Sequence, residues 1–309
     1  MPELPDITVY AESLAAKVVG QPLRRIRLLN PFLLRTAVPP IAEAEGRMVR
    51  GVERLGKRVV IVLDGASGGP SGGASAGDPP WFLVLHLMIA GRLRWLAAGA
   101  KPPGGKATLA VFEFDAGTLV FTEAGTQRRA SLHLLAGREA LAAMDPGGIE
   151  PLQCSAAEFA ARLQRGRHTL KRALTDPQAF SGIGNAYSDE ILHRARLSPV
   201  AMSTSLAPEE VARLHEATRA VFDEFTGRLR AEAAQAGGWP KEVTAFRPDF
   251  AVHGRFGQPC PACAAPVQRI VYASNETNYC VRCQTGGKLL ADRALSRLLK
   301  ASWPRTLDE

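Results

Sequence analysis

Cys260-Pro261-Ala262-Cys263 and, after sixteen intervening residues, Cys280-Val281-Arg282-Cys283 are the stretches on which the reading of this chain turns. Four thiolates at this spacing can close a tetrahedral zinc site, and a site with no open position for water is structural rather than catalytic. The chain has five cysteines, an odd number that excludes a simple all-disulfide framework. With no secretion signal at the start, the two close pairs point to metal instead. Cys154 stands alone and reads as an inert core thiol. A zinc hairpin stabilises a segment too short to bury enough surface by itself, and it presents its loop to a partner.

Outward from the cysteines the chain divides by pattern. Gly237-Gly238-Trp239-Pro240 breaks a helical stretch and opens a zinc subdomain over residues 241–286. Behind it, a tail over 287–309 carries Lys288 to Lys300, an amphipathic helix pattern whose Leu289, Leu290, Leu295, Leu298 and Leu299 are expected to dock on the body. Upstream, Ala156 to Leu163 and Pro208 to Ala231 have helical spacing, which gives a helical domain over 153–240 and a linker over 137–152. Residues 1–136 read mostly as strands, for example Val59 to Leu63, Trp81 to Leu87, Leu109 to Phe114 and Thr118 to Thr122, with a hairpin-like turn at Asp115 to Gly117. The expectation there is an antiparallel sandwich or barrel-like domain, interrupted by a Gly/Pro/Ser-rich surface insertion at Ala66 to Pro80.

The 309 residues are 46% apolar but only 6% aromatic, so the core should be aliphatic and the chain globular. A formal charge of +8 favours a polyanionic partner, because neutralising phosphates releases condensed counterions. No apolar run approaches roughly 18 residues, and no basic region leads into an apolar stretch at the start, so the expected address is cytoplasmic, without a membrane.

The opening Met1-Pro2-Glu3-Leu4-Pro5-Asp6 carries chemistry of its own. Pro2 is a small penultimate residue, so loss of Met1 is expected to leave a secondary amine at the head of the mature chain. An α-amino group has an ordinary pKa near 8, so a useful fraction is nucleophilic at neutral pH. On a deoxyribose C1′ it would give an iminium that cannot deprotonate at nitrogen and that acidifies C2′. Glu3 can supply the proton that ring opening requires. Farther on, Gln178 to Leu192 runs from a Gly182-Ile183-Gly184-Asn185 turn into a helix, a geometry that lets backbone amides approach a phosphate. Arg162, Arg165, Arg167, Lys171 and Arg172 form an acid-free run just before it.

Taken in order, Pro2-Glu3-Leu4-Pro5, Gly56-Lys57 before a strand, His86-Leu87 followed by Gly91, Gly182 to Asn185 with Tyr187 and Glu190, and His253-Gly254-Arg255 before the cysteines resemble the formamidopyrimidine-DNA glycosylase and endonuclease VIII family over nearly the full chain. The resemblance implies an α+β fold: an N-terminal antiparallel β-sandwich, a helix-two-turn-helix domain and a C-terminal four-cysteine zinc hairpin. It further implies duplex DNA in a cleft between the domains, with the damaged nucleotide flipped out. By position Pro2 would be the Schiff-base nucleophile, Glu3 the proton donor and Lys57 a lysine associated with elimination. His86, Lys106, Arg129, Arg167, Lys171 and Asn185 would contact DNA, and Cys260, Cys263, Cys280 and Cys283 would hold one structural zinc. No nucleotide cofactor is implied, and a monomer is expected.

Three departures stand out against that pattern. The family's usual methionine four positions into its His-Leu-Gly-Met-Ser-Gly stretch is Ile89 here, beside Met88, so these two would fill the gap left by flipping. Arg128-Arg129 is followed by Ala130 where a stacking phenylalanine is usual. Asn275 replaces the arginine expected five residues before the third cysteine, which puts δ-elimination in doubt, with Arg282 or Arg269 as compensating cations. The function implied is a bifunctional DNA glycosylase and AP lyase acting on damaged, oxidised bases. The competing reading is a non-catalytic damaged- or structured-DNA binder on the same fold, and the intact Pro2, Glu3 and Lys57 argue against it.

Overall fold

The computed structural model describes residues 1–65, 79–125, 127–241, 243, 247–272, 275–302 and 304–307. The insertion read at Ala66 to Pro80 lies outside them except for its last two residues. The chain forms two compact units, Met1–Pro146 with Phe225–Val243, and Gly147–Glu224 with Thr244–Glu309.

The first unit begins with helix α1 (Leu4–Val18), an element the strand-rich reading of residues 1–136 lacks. Its signal is nonetheless present, since Leu4, Ile7, Tyr10, Leu14 and Val18 recur every three or four residues and are all buried. Pro5 falls in the first turn, where a missing N–H costs nothing. The strands follow: β1 (Arg25–Leu28), β2 (Val49–Leu55), β3 (Arg58–Leu63), β4 (Trp81–His86), β5 (Gly91–Ala97), β6 (Thr108–Phe114), β7 (Gly117–Glu123) and β8 (Ser131–Ala136). They pair antiparallel in two four-stranded sheets, ordered β1-β6-β7-β5 and β2-β3-β4-β8. Leu83, Leu85, Leu119, Phe112, Phe121 and Leu132 meet Ile7, Tyr10 and Leu14 in one largely aliphatic core. The expected sandwich is present. In the β6–β7 hairpin a Cβ at Gly117 would sit 2.3 Å from the Leu96 carbonyl oxygen, so only glycine fits that turn.

Helix α2 (Arg138–Ala142) closes this stretch, and α3 (Ala156–Leu163), α4 (Leu170–Thr175), α5 (Asn185–Arg194) and the long α6 (Pro208–Gln235) follow. Both helices read from spacing are therefore found, with α6 one turn longer. The Gly237-Gly238-Trp239-Pro240 break does end α6, but it carries Trp239 back into the first unit. There its ring lies 5.6 Å from Tyr10 and 6.2 Å from Trp95, and its Nε1–H donates to the Leu93 carbonyl at 3.3 Å.

The second unit adds β9 (Val267–Tyr272), β10 (Asn275–Cys280), α7 (Val281–Thr285) and α8 (Arg293–Leu299). β9 and β10 form the zinc hairpin. Ser155 caps α3 in a reciprocal box with Glu158, and Thr169 caps α4. Two consecutive acids of α5 fasten the unit together. Glu190 accepts the backbone N–H groups of Ala251, Val252 and His253 at 2.7, 2.9 and 2.9 Å. Asp189, with no exposed side-chain surface, accepts from Lys171 Nζ at 2.6 Å and the Asn278 amide at 3.1 Å, and pairs with His253 Nδ1 at 2.7 Å. The tail corrects the single docking helix expected from Lys288. Leu289 N–H donates to Arg305 O and Leu290 N–H to the Tyr279 hydroxyl, both at 2.8 Å, which holds that segment out of a helix. Leu289 and Leu290 pack on the hairpin core, whereas Leu298 and Leu299 are 77% and 41% exposed; the Leu295 side chain lies outside the described residues. Among the described residues no helix is long and apolar enough to cross a membrane.

Removing the Glu190 carboxylate leaves two buried donors and one half-buried donor without an acceptor, at about 1–3 kcal/mol for each buried one. Glu190→Ala should lower the melting temperature and bring the amides of residues 251–253 to fast hydrogen exchange, measured by mass spectrometry. Unchanged protection there would show that the carboxylate does not hold this loop.

Candidate active site and zinc centre

At the head of the first unit, Pro2, Glu3 and Asp6 are all buried, Glu3 to 2% exposure. The Glu3 backbone N–H donates to Asp6 Oδ2 at 2.8 Å, one half of a capping box in which the Glu3 carboxylate faces the Asp6 amide. Asp6, which the sequence reading left without a role, therefore fixes the backbone of Glu3. Burial pulls the α-amino group of Met1 below its ordinary value. Glu3 opposes that shift, Arg92 adds to it, Asp6 opposes it and Lys57 adds to it. Lys57 occupies the β2–β3 turn after Gly56, whose φ is +59°, and it is half-buried. The structure thus brings Pro2, Glu3 and Lys57 into one electrostatic neighbourhood. It adds Arg92 on β5, for which the sequence offered no signal beyond an arginine in a strand.

Beside this lies the loop joining β4 to β5. His86 ends β4 in register with Arg58 and Ser131. Burial, reinforced by the charges of Arg58, Lys57 and His133, holds it down to about 4, so it is a neutral hydrogen-bonding group at physiological pH. Met88 adopts a left-handed φ of 53° and is half-buried, while Ile89 is 65% exposed. Of the two residues expected to fill a flipping gap, Ile89 is the one presented. The turn is tight, because a Cβ on Gly91 would meet Leu87 O at 2.2 Å, and Arg92 Nη1 donates to the carbonyls of Ile89 and Gly91 at 3.1 and 2.7 Å. Across the unit, buried Glu123 accepts the backbone N–H groups of Arg129 at 2.9 Å and Ala130 at 3.2 Å, leaving the Arg129 side chain exposed. Lys106 is exposed on the β5–β6 connection.

In the second unit the expected phosphate contacts separate into two kinds. Arg167 is exposed between α3 and α4, beside a groove of about 260 Å³ lined by Arg162, Arg165, His168, Asp176 and Gln178 among others. Lys171 is instead turned inward, its ammonium 2.6 Å from Asp189 Oδ1 and 2.5 Å from Asn185 O, with 12% side-chain exposure. Asn185 opens α5 and donates through Nδ2 to the Glu276 carbonyl at 3.1 Å, which ties the Gly-x-Gly turn to the hairpin. Asn275 begins β10, paired with Tyr272, and is exposed. Of the cations named to compensate for it, Arg269 reaches Glu276 at 3.4 Å and stacks 4.4 Å from the Phe256 ring, while Arg282 sits on α7. Sequence reasoning missed Asp189, Glu276 and Asn278, whose polar side chains carry no motif of their own.

The four sulfurs of Cys260, Cys263, Cys280 and Cys283 lie within 4.8 Å of one another. A zinc tetrahedron with arms near 2.3 Å has edges of about 3.8 Å. The Cys260–Cys283 and Cys263–Cys280 separations, 4.0 and 3.3 Å, bracket that edge, so the set fits one structural zinc ion. Burial, reinforced by the neighbouring Cys263 and Cys260 thiols, pushes the Cys280 thiol up to about 11, and a divalent cation supplies the charge that holds it as thiolate. Gln284 secures the knuckle, accepting from Cys280 N–H at 2.8 Å and donating to Leu197 O at 2.9 Å. Cys154 is buried, and burial raises its thiol, in keeping with an inert core cysteine.

Family models match the chain along most of its length: the formamidopyrimidine-DNA glycosylase N-terminal domain over residues 1–130, its H2TH domain over 147–227, and the zinc finger found in FPG and IleRS over 257–286. A formamidopyrimidine-DNA glycosylase of Roseiflexus sp. is 34% identical over 297 residues, covering 92% of this chain and all of the relative. One from Geobacillus kaustophilus is 31% identical over 293 residues with the same coverage. In fold the chain is similar to the crystal structure of Lactococcus lactis formamidopyrimidine-DNA glycosylase bound to DNA containing an AP site, with a TM-score of 0.74 at 22% identity, covering 92% of this chain and 99% of that one.

His86 yields a pH test. Its folded value of about 4 lies below the unfolded value near 6.5, so between these limits the unfolded chain binds the proton and the native state is penalised. Stability should fall as pH drops through that window, and His86→Asn should flatten the decline in melting temperature between pH 7 and 4. An identical slope in the variant would show that this imidazole is not held neutral.

Proposed function

The chain belongs to the formamidopyrimidine-DNA glycosylase family, and from that premise we propose that it is a bifunctional DNA glycosylase and AP lyase of base excision repair. It acts as a cytoplasmic monomer on duplex DNA carrying damaged, oxidised bases. The single observation that carries the proposal is the setting of the chain end, where Pro2 is buried and the α-amino group of Met1 beside it lies in the fields of Glu3, Arg92 and Lys57, the setting the Pro2 nitrogen inherits when Met1 is removed. A terminus has no structural need of burial beside two cations, whereas an amine that must be unprotonated to react gains from both.

Once Met1 is removed, the Pro2 nitrogen attacks C1′ of a flipped-out nucleotide, the bond from C1′ to the base breaks, and the departing base takes up a proton. Glu3 gives its proton to the ring oxygen as the ring opens, leaving a positively charged iminium. Loss of a C2′ proton then expels the 3′-phosphate by β-elimination, and water releases the sugar remnant from Pro2. Lys57, close enough to depress the amine, supports the eliminated phosphate. His86 and Arg129 in the first unit, and Arg167 and Asn185 in the second, contact the DNA backbone. Ile89, the exposed member of the Met88-Ile89 pair, enters the space the base vacates. Lys171 serves this surface by positioning Asn185 through its bond to the Asn185 carbonyl, rather than by reaching a phosphate itself. Without a guanidinium at position 275, the strand break stops mainly at β-elimination.

Borohydride trapping on duplex DNA containing an abasic site tests the reading, using tag-free protein with Pro2→Gly and Glu3→Gln alongside. The expected result is a covalent adduct dependent on Pro2, no base excision by Glu3→Gln, and mainly β-elimination ends by mass spectrometry. Because the free amine reacts, and burial and the nearby cations at this chain end disfavour a protonated amine, adduct formation should rise with pH. Binding without any adduct would instead identify a protein that recognises DNA and lacks the chemistry.

A further inference from the structure

His193, in the last turn of α5, lies outside the family motifs and the active site. Its Nε2 is 3.3 Å from Cys260 Sγ, hydrogen-bond distance for a nitrogen donor to sulfur. Cys260 is 2% exposed and belongs to the four-sulfur set that fits zinc. A zinc-bound thiolate carries no proton and only accepts hydrogen bonds, so the imidazole nitrogen facing it must be the protonated one. The two residues are 67 apart in sequence, and they join α5 to the first cysteine pair as Gln284 joins the second pair to Leu197 just beyond α5.

From this geometry we propose that His193 is an outer-sphere ligand of the zinc, its Nε2–H donating to the Cys260 thiolate. The bond draws charge from that sulfur, shields it from electrophiles and fixes its direction toward the metal. It is a positioning contact, because His193 does not touch the zinc itself. It also makes α5 shared property: the helix opens at Asn185 beside the hairpin strand and closes against a metal ligand.

Removal of such a partner typically weakens metal binding by about 10–100-fold. The test measures zinc transfer from the full-length holoprotein to a colorimetric chelator, together with the alkylation rate of Cys260. His193→Phe keeps a ring without a donor and should release zinc at least about tenfold faster, with Cys260 alkylated faster. His193→Gln places an amide N–H where Nε2 stood and should restore most of the difference, whereas His193→Asn, too short to reach, should not. Equal release by wild type and His193→Phe would overturn the proposal, as would equal acceleration in His193→Phe and His193→Gln, which would mark loss of packing. A measurement on the unmutated chain stands apart from any folding defect. After exchange of zinc for cadmium-113, the Hε2 proton of His193 should show scalar coupling to the metal through Cys260, and its absence would count against the bond.

Discussion

Much in this molecule depends on keeping a chain end still. Termini ordinarily fray, because the first residues have few contacts to offset their conformational entropy. Here the first helical turn is fastened within three residues of its start, with the Glu3 amide held by Asp6, Leu4 buried, and Ile7 and Tyr10 sealed in the sandwich core. Aspartate at position 6 suits this device, since the carboxylate has only to reach back three residues. Once the end is fixed, burial can act on its amine, as can Lys57 and Arg92, which arrive on separate strand segments. The surroundings of this amine are therefore made by the fold as a whole, although its atoms belong to the backbone.

The second unit solves a different problem, joining helices and a hairpin through buried polar groups as well as buried apolar ones. Asp189 and Glu190 are adjacent, and on a helix adjacent side chains point roughly 100° apart. One carboxylate reaches Lys171, His253 and the hairpin strand, while the other accepts three consecutive amides of the 251–253 loop. A buried carboxylate is costly unless fully hydrogen-bonded, so each element depends on the others being in place. Lys171 belongs to this economy. A lysine already paired at 2.6 Å with a fully buried aspartate is a strut for the Asn185 turn, and that explains why a cation from an exposed-looking basic run is 12% exposed.

How much of this was legible in the sequence follows from the kind of interaction involved. β3, β4, β6 and β7 were read within a residue or so, because their β-branched and aromatic runs are bounded by turns. β1 and β2 were not, since Arg25–Leu28 and Val49–Leu55 alternate poorly and are mostly half-exposed. Helix α1 was passed over in a stretch read as strands, although its prolines stand where a helix start tolerates them. The zinc ligands were legible from spacing. Asp189, Asn278, Arg92 and His193 were invisible, because each matters through a partner between 64 and 90 residues away or through a field, and neither leaves a local pattern. The tail failed for a related reason: its leucines have helical spacing, but backbone bonds to Arg305 and Tyr279 decide the conformation of the first two.

The Asn275 departure can be placed by the same distinction. Within β10, Thr277, Asn278, Tyr279 and Cys280 are buried and bonded into α5 or the hairpin core, so a change there would be felt throughout the unit. Asn275 is the exposed first residue of the strand, and nothing in the hairpin's packing requires a particular side chain there. An arginine at that position would contribute only outward, to an anion. Its loss therefore costs the fold nothing while removing the strongest phosphate-binding group the hairpin could present. Arg269 is a poor substitute, three residues along the ladder and already engaged by Glu276 and Phe256. Under the proposed function, the scaffold and the chain end are kept together, and the change falls on the surface that would decide how far strand cleavage proceeds.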